Sequence, residues 1–196
     1  MSDADREKWN TRYREGSYRA RTHPSELIEQ WLPQLPRGRA LDVAAGAGRN
    51  SLFLAASGFD VDALDISGEA LARLKGDAEK RGVEIDTIEL DLESDSLPKR
   101  QYALIVMVRY TNGNLIPRLL TLLDDGGHFL CEEHLETDAD VIGPTDPAFR
   151  VRPNELRELT VASGLEILHY SEGLVEDPDG RTAALARLVA RKPQTV

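Results

Sequence analysis

The sequence predicts an α/β fold, a doubly wound sheet that is mostly parallel and closes on an antiparallel C-terminal hairpin. Three observations predict it. Short apolar runs alternate with segments of helical periodicity from residue 39 to about residue 164, as strand–helix–strand units require. The run Tyr102-Ala-Leu-Ile-Val-Met-Val108 is continuously apolar, which suits a central parallel strand buried on both faces. The last two apolar runs, 165–175 and 182–190, are joined by Glu-Asp-Pro-Asp-Gly-Arg. There Pro presets one dihedral and Gly accepts a positive one, so the final strands form a hairpin.

The elements follow in order. Residues 3–15 are charged and helical, with Trp9 and Tyr13 four apart on one face. Pro24-Ser-Glu opens a second helix holding Leu27, Ile28, Trp31 and Leu32, stopped by Pro33 and Pro36. The first core strand is 39–44, its helix about 48–57, and the second strand 59–65. Ser67 caps a helix carrying Ala70, Leu71, Leu74 and Ala78, which Gly82 terminates. Strand three runs from Val83 to about Leu90 and ends in Asp91. Beyond the central strand, 115–123 supplies a helix stopped by Asp125-Gly-Gly, and 129–133 is strand five. Residues 134–151 are polar, irregular and longer than ordinary connections, which marks them as a lid. Pro153 sits in the first turn of the last helix, ended by Gly164.

Composition narrows the function. A length of 196 residues favours one compact domain, read as a helical cover over 1–36 and a main domain over 37–196. Asp plus Glu number 34 against 24 Lys plus Arg, and the net charge of -10 disfavours binding to nucleic-acid phosphates. The single Cys131 excludes an intrachain disulfide, and no Cys/His spacing suits a metal. His23, His128, His134 and His169 are scattered, with only His134 at a strand end near the expected pocket. Neither a leader-like apolar core nor a membrane-spanning stretch is evident, so a cytoplasmic location with no membrane partner is expected.

The chemistry concentrates in Arg39-Ala-Leu-Asp-Val-Ala-Ala-Gly-Ala-Gly-Arg-Asn-Ser-Leu. A buried strand passes through a turn of small residues into a helix, letting a ligand approach the backbone at the helix's positive end. A second strand, Val61-Asp-Ala-Leu-Asp65, ends in a carboxylate 19 residues beyond Gly46. An acid ~20 residues after such a turn reaches a ribose hydroxyl pair. On that reading, losing Asp65 weakens cofactor binding far more than it weakens the fold; alternatively, Asp65 serves the start of the next helix. The third glycine of a dinucleotide fingerprint is missing, Ser51 standing in its place, and Asp42 sets negative charge where phosphates would lie. A sulfonium or ammonium cofactor fits better, so S-adenosylmethionine is favoured over NAD.

Asp42-Val-Ala44-Ala-Gly46-Ala-Gly48 resembles motif I of class I, Rossmann-like methyltransferases, with Ala44 replacing the first glycine. Arg49-Asn50-Ser51-Leu52 is similar to the matching stretch of the tellurite-resistance (TehB-like) methyltransferases. The resemblance implies a seven-stranded sheet with an antiparallel C-terminal hairpin and an S-adenosylmethionine-dependent transfer to a small-molecule acceptor, such as a chalcogen oxyanion or thiol. It implies that Asp42 faces the methionine amino group beside the Ala44–Gly48 backbone, and that Ile66 lies on the adenine. Asp91 and Leu92 match the positions at the adenine edge. Trp9 and Tyr13 match an N-terminal helix that folds over the cofactor, where aromatic rings attract a sulfonium. Asn50 and Val108 complete the cofactor set, and Arg109, Tyr110 and His134 are the candidates for contact with the acceptor. Structural roles stand beside these: Asn50 as a loop brace, Asp91 as a cap, Leu92 as core, Trp9 as a helix anchor and Tyr110 as strand-edge packing. The rival functions are an NAD-dependent oxidoreductase and a non-catalytic cofactor-binding or interaction protein.

Overall fold

The computed structural model describes residues 3–176 and 180–194. Its elements are α1 (Asp3–Arg14), α2 (Glu26–Trp31), β1 (Arg39–Val43), α3 (Arg49–Ala56), β2 (Asp60–Asp65), α4 (Gly68–Arg81) and β3 (Ile85–Glu89). There follow β4 (Tyr102–Val108), α5 (Ile116–Leu120), β5 (Leu123–His134), α6 (Glu155–Ala162), β6 (Glu166–Glu176) and β7 (Thr182–Arg191). They build one seven-stranded sheet of order β3-β2-β1-β4-β5-β7-β6. The first five strands are parallel, and β7 runs antiparallel to both β5 and β6. Strand order reverses between β1 and β4, and in open α/β sheets ligands bind in the crevice beyond the carboxyl ends at that point.

Both faces of the sheet are covered, which is why its central strands are apolar throughout. Period-two alternation sends Leu41, Val43, Ile105, Met107, Phe129 and Cys131 to one face, over α5 and α6. Ala40, Leu104, Val106 and Leu130 go to the other, with Leu54 of α3 and Leu27 and Ile28 of α2. Thus α2 is integral to the core, whereas α1 buries no residue and lies over α4. Asn10 Oδ1 accepts from the Ser67 hydroxyl at 2.8 Å, and Arg14 pairs with Glu69 at 3.2 Å.

Several boundaries differ from the sequence reading. The helix after β4 covers only Ile116–Leu120, because β5 already begins at Leu123. Asp125-Gly-Gly is not a turn between elements. It lies in a bulge, where pairing jumps from Tyr102↔Leu123 to Leu104↔His128. Pro153 lies before the start of α6, whose N-cap is Asn154 at φ 66°. Past the end of β5 the stretch to 151 is irregular, as expected, apart from a short 3-10 turn at Pro147–Phe149, but it is braced. Leu135 bridges Val151, Ile142 bridges Ala183, and Arg150 Nη1 donates to the Leu135 carbonyl at 2.7 Å. The Asp-Pro-Asp of the terminal hairpin, 177–179, lies outside the described residues, although the Gly180 that follows has the expected positive φ of 75°.

Candidate active site

The turn after β1 is shaped by three left-handed residues, Ala44, Gly46 and Gly48, at φ 55°, 56° and 80°. Ala45 N–H donates to Leu64 O at 2.8 Å and Gly46 N–H to Asp65 Oδ2 at 2.7 Å, so the turn is tied to the end of β2. The other oxygen of Asp65 accepts the Ser67 N–H at 2.8 Å, at the start of α4. One carboxylate therefore joins the turn to α4, and Asp65 carries part of the fold as well as facing the crevice. The Ile66 N–H is a third donor to it, and an ionised carboxylate has about four lone-pair sites, so about one remains for a ligand hydroxyl. Burial pushes the Asp65 pKa up, against the pull of these N–H donors.

Asp42, at 1% exposure, accepts the Ser51 hydroxyl at 2.5 Å. The residue in the third-glycine position thus holds the strand-end acid. Burial raises the Asp42 pKa to about 6 despite the Ser51 bond and nearby Arg49. Gly46 is required by its neighbour as well as by its dihedral, since a Cβ there would lie 2.3 Å from the Tyr13 hydroxyl. Tyr13, Trp9 and Tyr18 form an aromatic group with ring centroids 5.8–6.5 Å apart, directly over the turn at Tyr13. Tyr18 was invisible to helical spacing because it lies past the end of α1, at φ 61°. Burial and the Asp65 carboxylate push the Tyr13 pKa up.

Ile66 is buried beside Asp65, and Val108 is buried at the end of β4. Asp91 accepts the Glu93 N–H at 2.9 Å, the turn-capping role, and the Leu92 side chain packs in the main core. Asn50 Oδ1 accepts the Ser25 N–H at 3.0 Å and so braces the segment leading into α2. At the end of β4, Arg109 takes φ 60° and its guanidinium lies 3.5 Å from Glu132. The Tyr110 hydroxyl is buried, with the Asn112 side chain beside it. Burial and the carboxylates of Glu93, Asp91 and Asp65 push its pKa up to about 12. The acids around it favour an uncharged or cationic ligand group over a phosphate. His134 is buried under Gly143, whose Cβ would lie 2.7 Å from its ring. It does not line the large cavity nearby.

That cavity, of about 630 Å³, opens beside the ends of β4 and β5 and is lined by Thr111, Asn112, Arg118, Phe149, Arg150 and others. Two buried acids of β5 that the sequence reading passed over stand nearby, Glu133 behind the cavity at Thr111 and Glu132 on the opposite face of the sheet at Ser25. Glu132 accepts from Arg187 Nε at 2.9 Å and Ser25 Oγ at 3.1 Å, and Glu133 is fully buried. Consecutive glutamates in the apolar run Phe129-Leu-Cys-Glu-Glu were the available signal. Among the described residues, no group of three or more His, Cys, Asp or Glu side chains is placed to hold a metal ion. No helix among them is long and apolar enough to cross a membrane.

A family model described as tellurite resistance protein TehB matches residues 8–182. A probable S-adenosyl-L-methionine-dependent methyltransferase TehB of Haemophilus influenzae (strain 10810) is 28% identical over 166 residues, 79% of this chain and 57% of that protein. The crystal structure of TehB from Haemophilus influenzae superposes with a TM-score of 0.71 at 28% identity, covering 85% of this chain and 61% of that one. A SAM-dependent methyltransferase structure from Methanosarcina mazei shares the fold, with a TM-score of 0.70 at 18% identity over 88% of this chain and 100% of its own. The chain thus spans about 57% of the length of the curated TehB relative.

Proposed function

The chain belongs to the TehB tellurite-resistance family, and from that premise we propose that it is an S-adenosylmethionine-dependent methyltransferase acting on a small-molecule acceptor. The single observation that carries the reading is the crevice formed by the Ala44–Gly48 turn with two buried carboxylates, Asp42 and Asp65, set where a diphosphate would lie. The cofactor, when bound, supplies a methyl group already activated on a sulfonium. Asp65 would hold the ribose hydroxyls, Asp42 the methionine ammonium, and Ile66 the adenine face. The buried Tyr110 hydroxyl offers a donor on the same side. Trp9, Tyr13 and Tyr18 would set aromatic faces toward the sulfonium and exclude water, with α1 as the cover of the site. Acceptor binding falls to the cavity beside Thr111 and Phe149, with a chalcogen oxyanion or a thiol as the acceptor class. Because a sulfonium methyl is pre-activated, the chain's task is in-line positioning and removal of any acceptor proton.

Calorimetric titration with S-adenosylhomocysteine, NAD and NADH tests this reading. S-adenosylhomocysteine should bind and stabilise, by about 2.7 kcal/mol at a hundred times its dissociation constant. Equal or greater stabilisation by NAD or NADH would overturn the reading in favour of an oxidoreductase, and binding of neither would leave the crevice without its assigned ligand.

A further inference from the structure

Thr111 carries one hydroxyl hydrogen, yet two acceptors lie within its reach: Glu133 Oε2 at 3.0 Å and the Phe149 carbonyl at 3.1 Å. With Glu133 ionised, the hydroxyl serves one of them and the other oxygen faces Oγ with no hydrogen between. A proton on Glu133 closes the count. The carboxyl then donates to Thr111 Oγ and Thr111 donates to Phe149 O, while Tyr110 N–H donates to Glu133 Oε1 at 3.1 Å. Around Glu133 stand Glu132 and the Cys131 thiol of its own strand and the Arg109 guanidinium from the end of β4. Burial dominates and lifts its pKa to about 8, against the Tyr110 and Thr111 donors. Thr111 and Phe149 line the cavity of about 630 Å³ and Glu133 does not, so the hydroxyl is the carboxyl's outlet to it.

We infer that Thr111 and Glu133 form a two-member proton relay that takes the proton of a thiol acceptor seated in this cavity, an inference resting on the methyltransferase reading. The thiol S–H bond breaks and its electron pair stays on sulfur. Its hydrogen passes to Thr111 Oγ as Thr111's own hydrogen passes to Glu133 Oε2, turning carboxylate into carboxylic acid. Two acceptors around one hydroxyl fit the relay once it has taken the proton, which water removes before the next cycle. A base titrating near 8 is matched to a thiol, about 8.5 for a cysteine. An alcohol is far too weak an acid for it, and an oxyanion already carries its charge. Thr111 is the group that meets the acceptor, and Glu133 acts through it.

The test uses the full chain, isotope-labelled at the glutamate carboxyl carbons and titrated by NMR. One signal, absent from Glu133→Gln, should titrate near the value of about 8. Thr111→Ser should keep it there, and Thr111→Val, which deletes a donor to the ionised form, should move it up by about one unit, tenfold in proton affinity. In parallel, methyl transfer to 2-mercaptoethanol should rise through the same pH, whereas transfer to thiophenol, a stronger acid already ionised there, should not. With 2-mercaptoethanol, Thr111→Val and Glu133→Gln should lower kcat by about 100-fold or more, Thr111→Ser should largely restore it, and KM should change little. A Glu133 signal in the ordinary carboxylate range, one indifferent to Thr111→Val, or a rate profile lacking that limb overturns the relay. So does absence of transfer to either thiol in protein that binds S-adenosylhomocysteine. Failure to bind S-adenosylhomocysteine overturns the methyltransferase reading instead, and the carboxyl titration still decides the relay.

Discussion

Removing the Asp65 side chain tests how the crevice is built. In Asp65→Ala two backbone donors, Gly46 N–H and Ser67 N–H, lose acceptors that now lie at 2.7 and 2.8 Å. Both residues are buried, so water does not readily replace the lost partner. Each orphaned donor costs about 1–3 kcal/mol. The loss is partly offset, because burial disfavours the ionised carboxylate that the substitution removes. The net expectation is about 2–4 kcal/mol of lost stability in the ligand-free protein, or roughly 5–15 °C in Tm for a domain of this size. Urea unfolding followed by circular dichroism reads it as a fall in midpoint at constant slope. Asp65→Asn keeps one acceptor and should lose roughly half as much. S-adenosylhomocysteine affinity should fall in both variants, by a further 1.5–3 kcal/mol or about that in Asp65→Ala. A midpoint equal to that of the wild type in Asp65→Ala would refute the structural role and return Asp65 to ligand binding alone.

Gly46→Ala forces a methyl to within 2.3 Å of the Tyr13 hydroxyl on a backbone at φ 56°. It should cost about 1–2 kcal/mol from the dihedral and speed amide exchange in α1; Tyr13→Ala should relieve the second effect, and additive behaviour in the double variant would refute the contact. Ala44→Gly relaxes an alanine at φ 55° and should raise stability by about 0.5–1 kcal/mol, the relieved strain exceeding glycine's entropy cost; a lowered urea midpoint would count against it. Asp42 titrates at about 6 in the fold against 3.8 for the free side chain, so its stabilising contribution is complete below 3.8 and is lost as pH rises through 6. The stability difference between Asp42→Asn and the wild type should therefore grow in the variant's favour across that window, by about 3 kcal/mol at most. A difference that stays flat with pH would show that the fold does not raise the Asp42 pKa.

The sequence by itself determined the order of strands and helices along the chain and the place of the small-residue turn after β1. Both depend on local rules: a continuous apolar strand such as 102–108 has to be buried on two faces, and a turn of small residues after a strand leaves the backbone bare to a ligand. Ser67 and Gly82 bounded α4 for the same reason, since caps act within one turn of the chain. Only the tertiary structure decided which partners each functional group meets. Asp65 binds Gly46, 19 residues away, and Ser25 meets Glu132 at a separation of 107, contacts that no local pattern encodes. Glu132 and Glu133 were hidden because a strand's alternation reports which face a residue takes, not whether a distant arginine or hydroxyl waits there. The Thr111 hydroxyl acquires its two competing acceptors when β5 and the segment before α6 come together across 22 and 38 residues. Proton sharing is decided by distances of about 3 Å between atoms remote in the chain, and folding alone sets those distances.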